Sequence, residues 1–178
     1  MRYRRADIPG ACYFFTLNLA DRQRRWLTDH VDKLRESIRG VKGRYPFNVD
    51  AIVVLPDHLH AILTLPEGDA DFSTRWALIK AGFSRALNLG EAVSPSRKAK
   101  GERGIWQRRF WEHLIRDDRD FATHVDYIHF NPVKHGYAKR PAEWRYSSIH
   151  RYIREGIIDA NWGCAVDFDQ EAFGERMG

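Results

Sequence analysis

The chain has 178 residues, 43% of them hydrophobic, which is enough for one domain with a real core. Cys12 and Cys164 stand far apart, which excludes a disulfide framework and a CxxC zinc site and fits a reducing cytoplasm. The basic start "MRYRRADIPG" precedes no apolar run long enough for a signal peptide or membrane span, and a pI near 9.4 describes a soluble, basic protein.

"CYFFTLNLA" (12–20) is aromatic, β-branched and apolar, and reads as a first strand. A basic loop, "DRQRRW", follows. A helix then begins at Thr28 or Asp29 as N-cap, with Val31, Leu34, Ile38 and Val41 at helical spacing, and ends before Pro46. "FNVDAIVVL" (47–55) and "HLHAILTL" (58–65) form a hairpin across the Pro56-Asp57 turn. The second helix starts from Ser73 as N-cap, with Trp76, Ile79, Phe83 and Leu87 on one stripe. Residues 90–104 read as a basic loop, mobile unless bound. "IWQRRFWEHLIR" (105–116) reads as a fourth strand. A third helix opens on the acidic cluster "DDRD" and runs to Asn131, where Pro132 stops it. A short helix at 147–154 closes the patterned region.

The first six elements, β-α-β-β-α-β, match the ferredoxin-like, split βαβ arrangement of the α+β class. That order predicts a four-stranded antiparallel sheet with the first two helices on one face. The fourth strand and third helix then serve the other side. Residues 1–154 make one domain, and 155–178 an acidic C-terminal tail. The tail carries six acids and one base, leaving 28 bases and 18 acids in the body, a net charge of +10. Such a body suits a polyanion, most simply nucleic acid, or serves solubility alone. The tail either docks on the basic face and competes with that partner or is a solvated end.

Chemistry concentrates in two places. Period-2 alternation puts His58, His60, Ile62 and Thr64 on one face of the third strand, and Leu59, Ala61, Leu63 and Leu65 on the other. Imidazoles two apart on one strand face can share a metal ion, or can be two hydrogen-bonded structural histidines. In the third helix Tyr127 and Asn131 are four apart and share a face. A tyrosine hydroxyl can act as a nucleophile, and an amide oxygen four residues on could supply a third metal ligand beside it. The bland alternative packs Tyr127 in the core and leaves Asn131 as a cap.

These residues carry a family resemblance. "PDHLH" (56–60) resembles the His-hydrophobic-His motif of the HUH superfamily. "WQRRFWEHLIRDDRDFATHVDYIHFNPVKHGY" (106–137) and "EWRYSS" (143–148) resemble the single-tyrosine HUH transposases, and among them the bacterial REP-associated tyrosine transposases. "YIHFNPVKHG" is the most specific part. The resemblance runs from about Tyr13 to Tyr152. It implies His58 and His60 as metal ligands, Tyr127 as nucleophile, and Asn131 where relatives place a polar third ligand, often glutamine.

The implied activity is metal-dependent cleavage and strand transfer of single-stranded DNA at repeated extragenic palindrome (REP) hairpins, through a 5′-phosphotyrosine and with no ATP. The implied cofactor is Mg²⁺ or Mn²⁺, and the implied setting is the bacterial cytoplasm, at the nucleoid, with no membrane. A monomer is expected in preference to a homodimer. His113, Glu112, Lys134 and His135 are candidates to support the site. His129, about 200° round the helix from Tyr127, is not expected to ligate. DNA contacts are expected from Arg22, Arg24, Arg25, Lys80, Arg85, Arg97, Lys98, Lys100, Arg103, Arg108 and Arg109. Trp106, Phe110, Trp111 and Trp144 offer rings for unpaired bases. The rival readings are a non-catalytic ferredoxin-like nucleic-acid binder and a metal-dependent hydrolase using an activated water.

Overall fold

The computed structural model describes residues 8–89, 91 and 93–164. Four strands, β1 (Cys12–Asn18), β2 (Asn48–Val54), β3 (His58–Thr64) and β4 (Trp111–Leu114), form one antiparallel sheet in the order β2-β3-β1-β4. This is the ferredoxin-like order that the sequence predicts. The helices are α1 (Trp26–Asp29), α2 (Val31–Arg44), α3 (Phe72–Ala86), α4 (Pro95–Lys98), α5 (Asp118–Lys134) and α6 (Ile149–Arg154).

Alternation along the strands divides the core in two. Tyr13, Phe15 and Leu17 of β1 and Leu59, Ala61 and Leu63 of β3 pack with Leu34 of α2 and Phe72, Trp76, Ile79 and Phe83 of α3. Phe14, Ala51, Val53 and Ile62 face the other way, against Val125, Tyr127 and Ile128 of α5. Each fully buried side chain of this kind contributes about 2 kcal/mol in water-transfer terms. A one-residue slip of β3 would carry the leucines to the α5 side, so the two cores hold the register that places His58 and His60.

Several boundaries differ from expectation. Thr28 and Asp29 lie in the separate turn α1, and α2 starts after His30 with no side-chain cap. Asp71 rather than Ser73 caps α3, accepting from Thr74 N at 3.0 Å. The 90–104 segment, as far as it is described, is pinned: Ser94 caps α4, and the Arg103 guanidinium binds Glu91 and the carbonyls of Ser84 and Leu87.

The fourth strand is only four residues long, because its ladder with β1 ends at the Thr16–Trp111 pair and pairing resumes out of register at the Leu19–Trp106 bridge. Lys80 Nζ holds Gln107 O at 2.7 Å, and Arg97 Nη1 holds Trp106 O at 3.0 Å. Helix α5 continues through Pro132 to Lys134. Proline costs one amide donor there, but a glycine turn closes the end. Gly136, at φ +71°, lets Gly136 N reach Val133 O (2.9 Å) and Tyr137 N reach Pro132 O (2.9 Å).

The outer edge of β2 is covered by the "EWRYSS" segment. Val54 N donates to Tyr146 O (2.9 Å), Ser148 N to Ile52 O (2.8 Å) and Trp144 Nε1 to Val54 O (3.0 Å). Trp162 continues past the expected boundary at 154 to lie 6.2 Å from His129 on α5. The remainder of the acidic tail, 165–178, lies outside the described residues, and so does any docking of it.

Candidate active site

The histidine strand begins at a rigid turn. Leu55 N donates to His58 O (2.9 Å), and the two turn carbonyls are taken by Leu27 N (3.1 Å, from Pro56) and Leu19 N (2.8 Å, from Asp57). Both imidazoles are buried and their rings are 5.0 Å apart. His58 Nδ1 lies 2.8 Å from Asp57 Oδ1. A carboxylate only accepts, so Nδ1 carries the proton. The 3.4 Å approach of Arg22 Nη2 to the same nitrogen is the weaker contact. His60 Nδ1 is engaged by Thr16 Oγ1 at 2.8 Å, directly across the β1–β3 ladder. The atom that each ring offers a metal is therefore Nε2.

Electrostatics agree. Burial pushes the His58 pKa down, against the pull of Asp57, so the ring is neutral at pH 7 and keeps a lone pair. Burial raises the Asp57 carboxyl, but its bonds from His58 and Arg22 outweigh this and bring it to about 2. A charged carboxylate behind a histidine orients it and raises its basicity as a ligand.

Helix α5 lies over this floor. The Tyr127 ring is 5.2 Å from His60, edge on, and 6.0 Å from Phe14. Lys134 Nζ is 3.3 Å from the Tyr127 hydroxyl and 4.8 Å from the ring centroid. Asn131 shares that helix face one turn on and is fully buried, with Oδ1 sealed from solvent like His58 Nε2. The His135 ring, just past the helix, is 5.0 Å from His58. Two imidazoles and an amide oxygen suit a divalent ion with few protein ligands. Lys134 and His135 come to the site because α5 does not stop at Asn131.

Other expected residues go elsewhere. His113 bonds Asp120 Oδ2 (2.9 Å) and stacks on His124 at 4.6 Å. His113, Asp120 and His124 form the one three-donor group of His, Cys, Asp and Glu among the described residues, with ligand atoms within 4.8 Å. Arg116 also donates to Asp120, from N (3.0 Å) and Nε (3.2 Å). With a guanidinium in place, the group reads as a bolt between β4 and α5. Glu112 registers with Phe15, on the α2–α3 side of the sheet. His129 binds Ser148 Oγ at 2.9 Å and, as expected, faces away from the histidine pair.

Among the expected DNA-binding cations, Lys80 is half-buried on backbone carbonyls, and burial lowers it to about 8. Arg97 holds Trp106 O, Arg103 holds α3 and its loop, Arg108 pairs with Glu102 (2.9 Å), Arg24 pairs with Asp21 (2.9 Å), and Arg22 clamps Asp57. Arg25, Arg85, Lys98, Lys100 and Arg109 are exposed. Of the expected rings, Trp106 is buried, Phe110 and Trp144 are partly buried, and Trp111 is 44% exposed. Sequence reading missed the parts of Asp57 and Thr16. Both had a signal: an acid directly before the first histidine, and a hydroxyl at period 2 with Phe14 in an otherwise apolar strand.

A ferredoxin-like sheet with a His-x-His strand under a tyrosine-bearing helix has the layout of the single-tyrosine HUH class. No protein-family model matches the chain. It is 45% identical over 176 residues to a REP-associated tyrosine transposase of Escherichia coli K12, covering 98% of this chain and 97% of that one. A Haemophilus influenzae protein assigned to the same family is 46% identical over 162 residues, covering 90% and 92%. A solved structure of such a transposase bound to a REP hairpin matches with a TM-score of 0.85 at 44% identity, over 99% of this chain and 98% of that one. The chain belongs to the REP-associated tyrosine transposases, enzymes that cut and join DNA.

Proposed function

We propose that the protein nicks and rejoins single-stranded DNA beside REP hairpins, with Tyr127 as nucleophile. The observation that carries this is the Tyr127 hydroxyl, held 3.3 Å from an ammonium on a ring 5.2 Å from the His60 imidazole. The Tyr127 hydroxyl gives up its proton to water and its oxygen forms a bond to phosphorus, the bond from phosphorus to the 3′ oxygen breaks, and that oxygen takes a proton from water and leaves as a 3′-hydroxyl. The product is a 5′-phosphotyrosine. Attack by another 3′-hydroxyl reverses the step and restores the tyrosine, so no ATP is consumed. Lys134 stabilises the phenolate oxygen that the attack requires and, after transfer, the negative phosphodiester. Asp57 holds the His58 ring in one tautomer, and Thr16 fixes the orientation of the His60 ring. His58, His60 and Asn131 would hold a divalent ion, Mg²⁺ or Mn²⁺, which supplies Lewis acidity to a non-bridging phosphate oxygen.

Hairpin DNA as partner is supported by the related structure, which is bound to a REP hairpin. A single chain brings His58, His60 and Tyr127 together, which supports a monomer as the working unit. Such a substrate lies in the bacterial cytoplasm, at the nucleoid. No helix among the described residues is long and apolar enough to cross a membrane.

The test is incubation with Mn²⁺ and an end-labelled REP hairpin bearing single-stranded flanks, followed by a denaturing gel. A covalent adduct is expected, and it should vanish in Tyr127→Phe and in the His58→Ala/His60→Ala double variant. Cleaved product without adduct would instead favour a hydrolase. Binding without cleavage would favour the non-catalytic binder.

A further inference from the structure

Strand register places an unusual residue beside the catalytic floor. Val53, His60, Thr16 and Trp111 occupy one row across β2, β3, β1 and β4, since Val53 pairs with His60, His60 with Thr16, and Thr16 with Trp111. Trp111 therefore projects from the same sheet face as His60. Two strand spacings separate them, about 10 Å. Its neighbour on that face, His113, lies under the first turns of α5 through Asp120 and His124. Val53, His60 and Thr16 of that row are buried, while Trp111, at its β4 end, is 44% exposed. The exposed Arg109 precedes it by two residues. Tyr137, also exposed, already stacks on Trp144 at 5.5 Å and on His135 at 6.3 Å.

We propose that Trp111 is a stacking platform for an unpaired base of the cleaved strand, next to the scissile phosphate. This rests on the reading that a phosphate sits between His60 and Tyr127. A flat, rigid aromatic about 10 Å from that position is within reach of the nearest nucleotide. An unpaired base has a free π face, and a base inside the hairpin stem does not. The platform therefore selects for single-stranded flank over stem, whatever the base identity. It holds the strand straight on one side of the phosphate, as in-line attack by Tyr127 requires.

The test reads binding, not cleavage, so it separates from the Tyr127 adduct test. In a Tyr127→Phe background, fluorescence anisotropy compares a REP hairpin carrying its single-stranded flanks with the same hairpin trimmed of them. Trp111→Ala should weaken the flanked DNA on the order of tenfold and leave the trimmed DNA unchanged. Trp111→Phe, which keeps a ring, should retain most of the affinity. Trp111→Leu, which keeps bulk without a π system, should behave as alanine does. An abasic site at the flank position nearest the cleaved bond should cause the same loss, with no further loss when combined with Trp111→Ala. Unchanged affinity for flanked DNA in both Trp111→Ala and Trp111→Leu would overturn the proposal. So would an equal loss on both DNAs, or a dimer in sedimentation that Trp111→Ala dissociates, which would assign the ring to a second copy.

Discussion

At the scale of single residues, the site is a matter of which nitrogen carries a proton. Asp57 and Thr16 each take the Nδ1 side of one imidazole, and so both rings present Nε2. Asp57 is itself held by the Arg22 guanidinium, which keeps it charged. Asp57→Asn removes that charge with little change of shape. Mn²⁺ affinity, measured by calorimetry, should fall roughly 10- to 100-fold, the usual cost of losing a carboxylate behind a metal-bound histidine. Adduct formation should recover at high Mn²⁺. An unchanged affinity would mean that the carboxylate only shapes the turn. The histidines, the tyrosine and the asparagine stood out by spacing and residue type, and the family resemblance supplied their expected roles. Their supports left only faint signals, because Thr16 and Arg22 meet the histidines only once β1 pairs with β3.

At the scale of elements, order and faces were legible while ends were not. Alternation in β3 and the stripes on α2 and α3 are written in residue types. The stop of β4 is a change of register against β1 between Trp111 and Trp106, in a segment whose carbonyls Lys80 and Arg97 hold from elsewhere in the chain. The expected end of α5 at Pro132 failed because Gly136 supplies a closing turn. The bolt between β4 and α5 makes its own prediction. Burial raises the Asp120 carboxyl, but bonds from His113 and Arg116 outweigh it and hold the group at about 2. A carboxyl lowered on folding stabilises the protein above its unfolded value, about 4, and that stability drains away as pH falls from 4 toward 2. Urea unfolding at stepped pH should show Asp120→Asn less stable than the parent by about 1–2 kcal/mol at pH 7. The gap should narrow below pH 4. A constant gap would assign the loss to packing alone.

At the scale of the whole molecule, the charge of the body is less available than the sequence suggests. Arg22, Arg24, Lys80, Arg97, Arg103 and Arg108 are engaged within the protein. Counting residues could not reveal this, since side-chain commitments arise from tertiary contacts. Arg25 and Arg109 remain exposed. Each neutralisation, Arg25→Ala or Arg109→Ala, should reduce the slope of log binding constant against log salt by about 1. Lys80→Met should leave the slope unchanged and lower the melting temperature. A reduced slope in Lys80→Met would show that the ammonium leaves its carbonyls to meet DNA.

The histidines lie on β3 and the tyrosine on α5, far later in the chain, with β4 between them. During synthesis at bacterial speeds the HLH strand emerges roughly several seconds before Tyr127 does. The nascent chain therefore holds His58 and His60 well before it holds Tyr127 or Asn131. In the proposed reaction, a product stalled or truncated ahead of α5 has no nucleophile. The order of translation thus withholds the proposed cutting step until the fold is nearly complete.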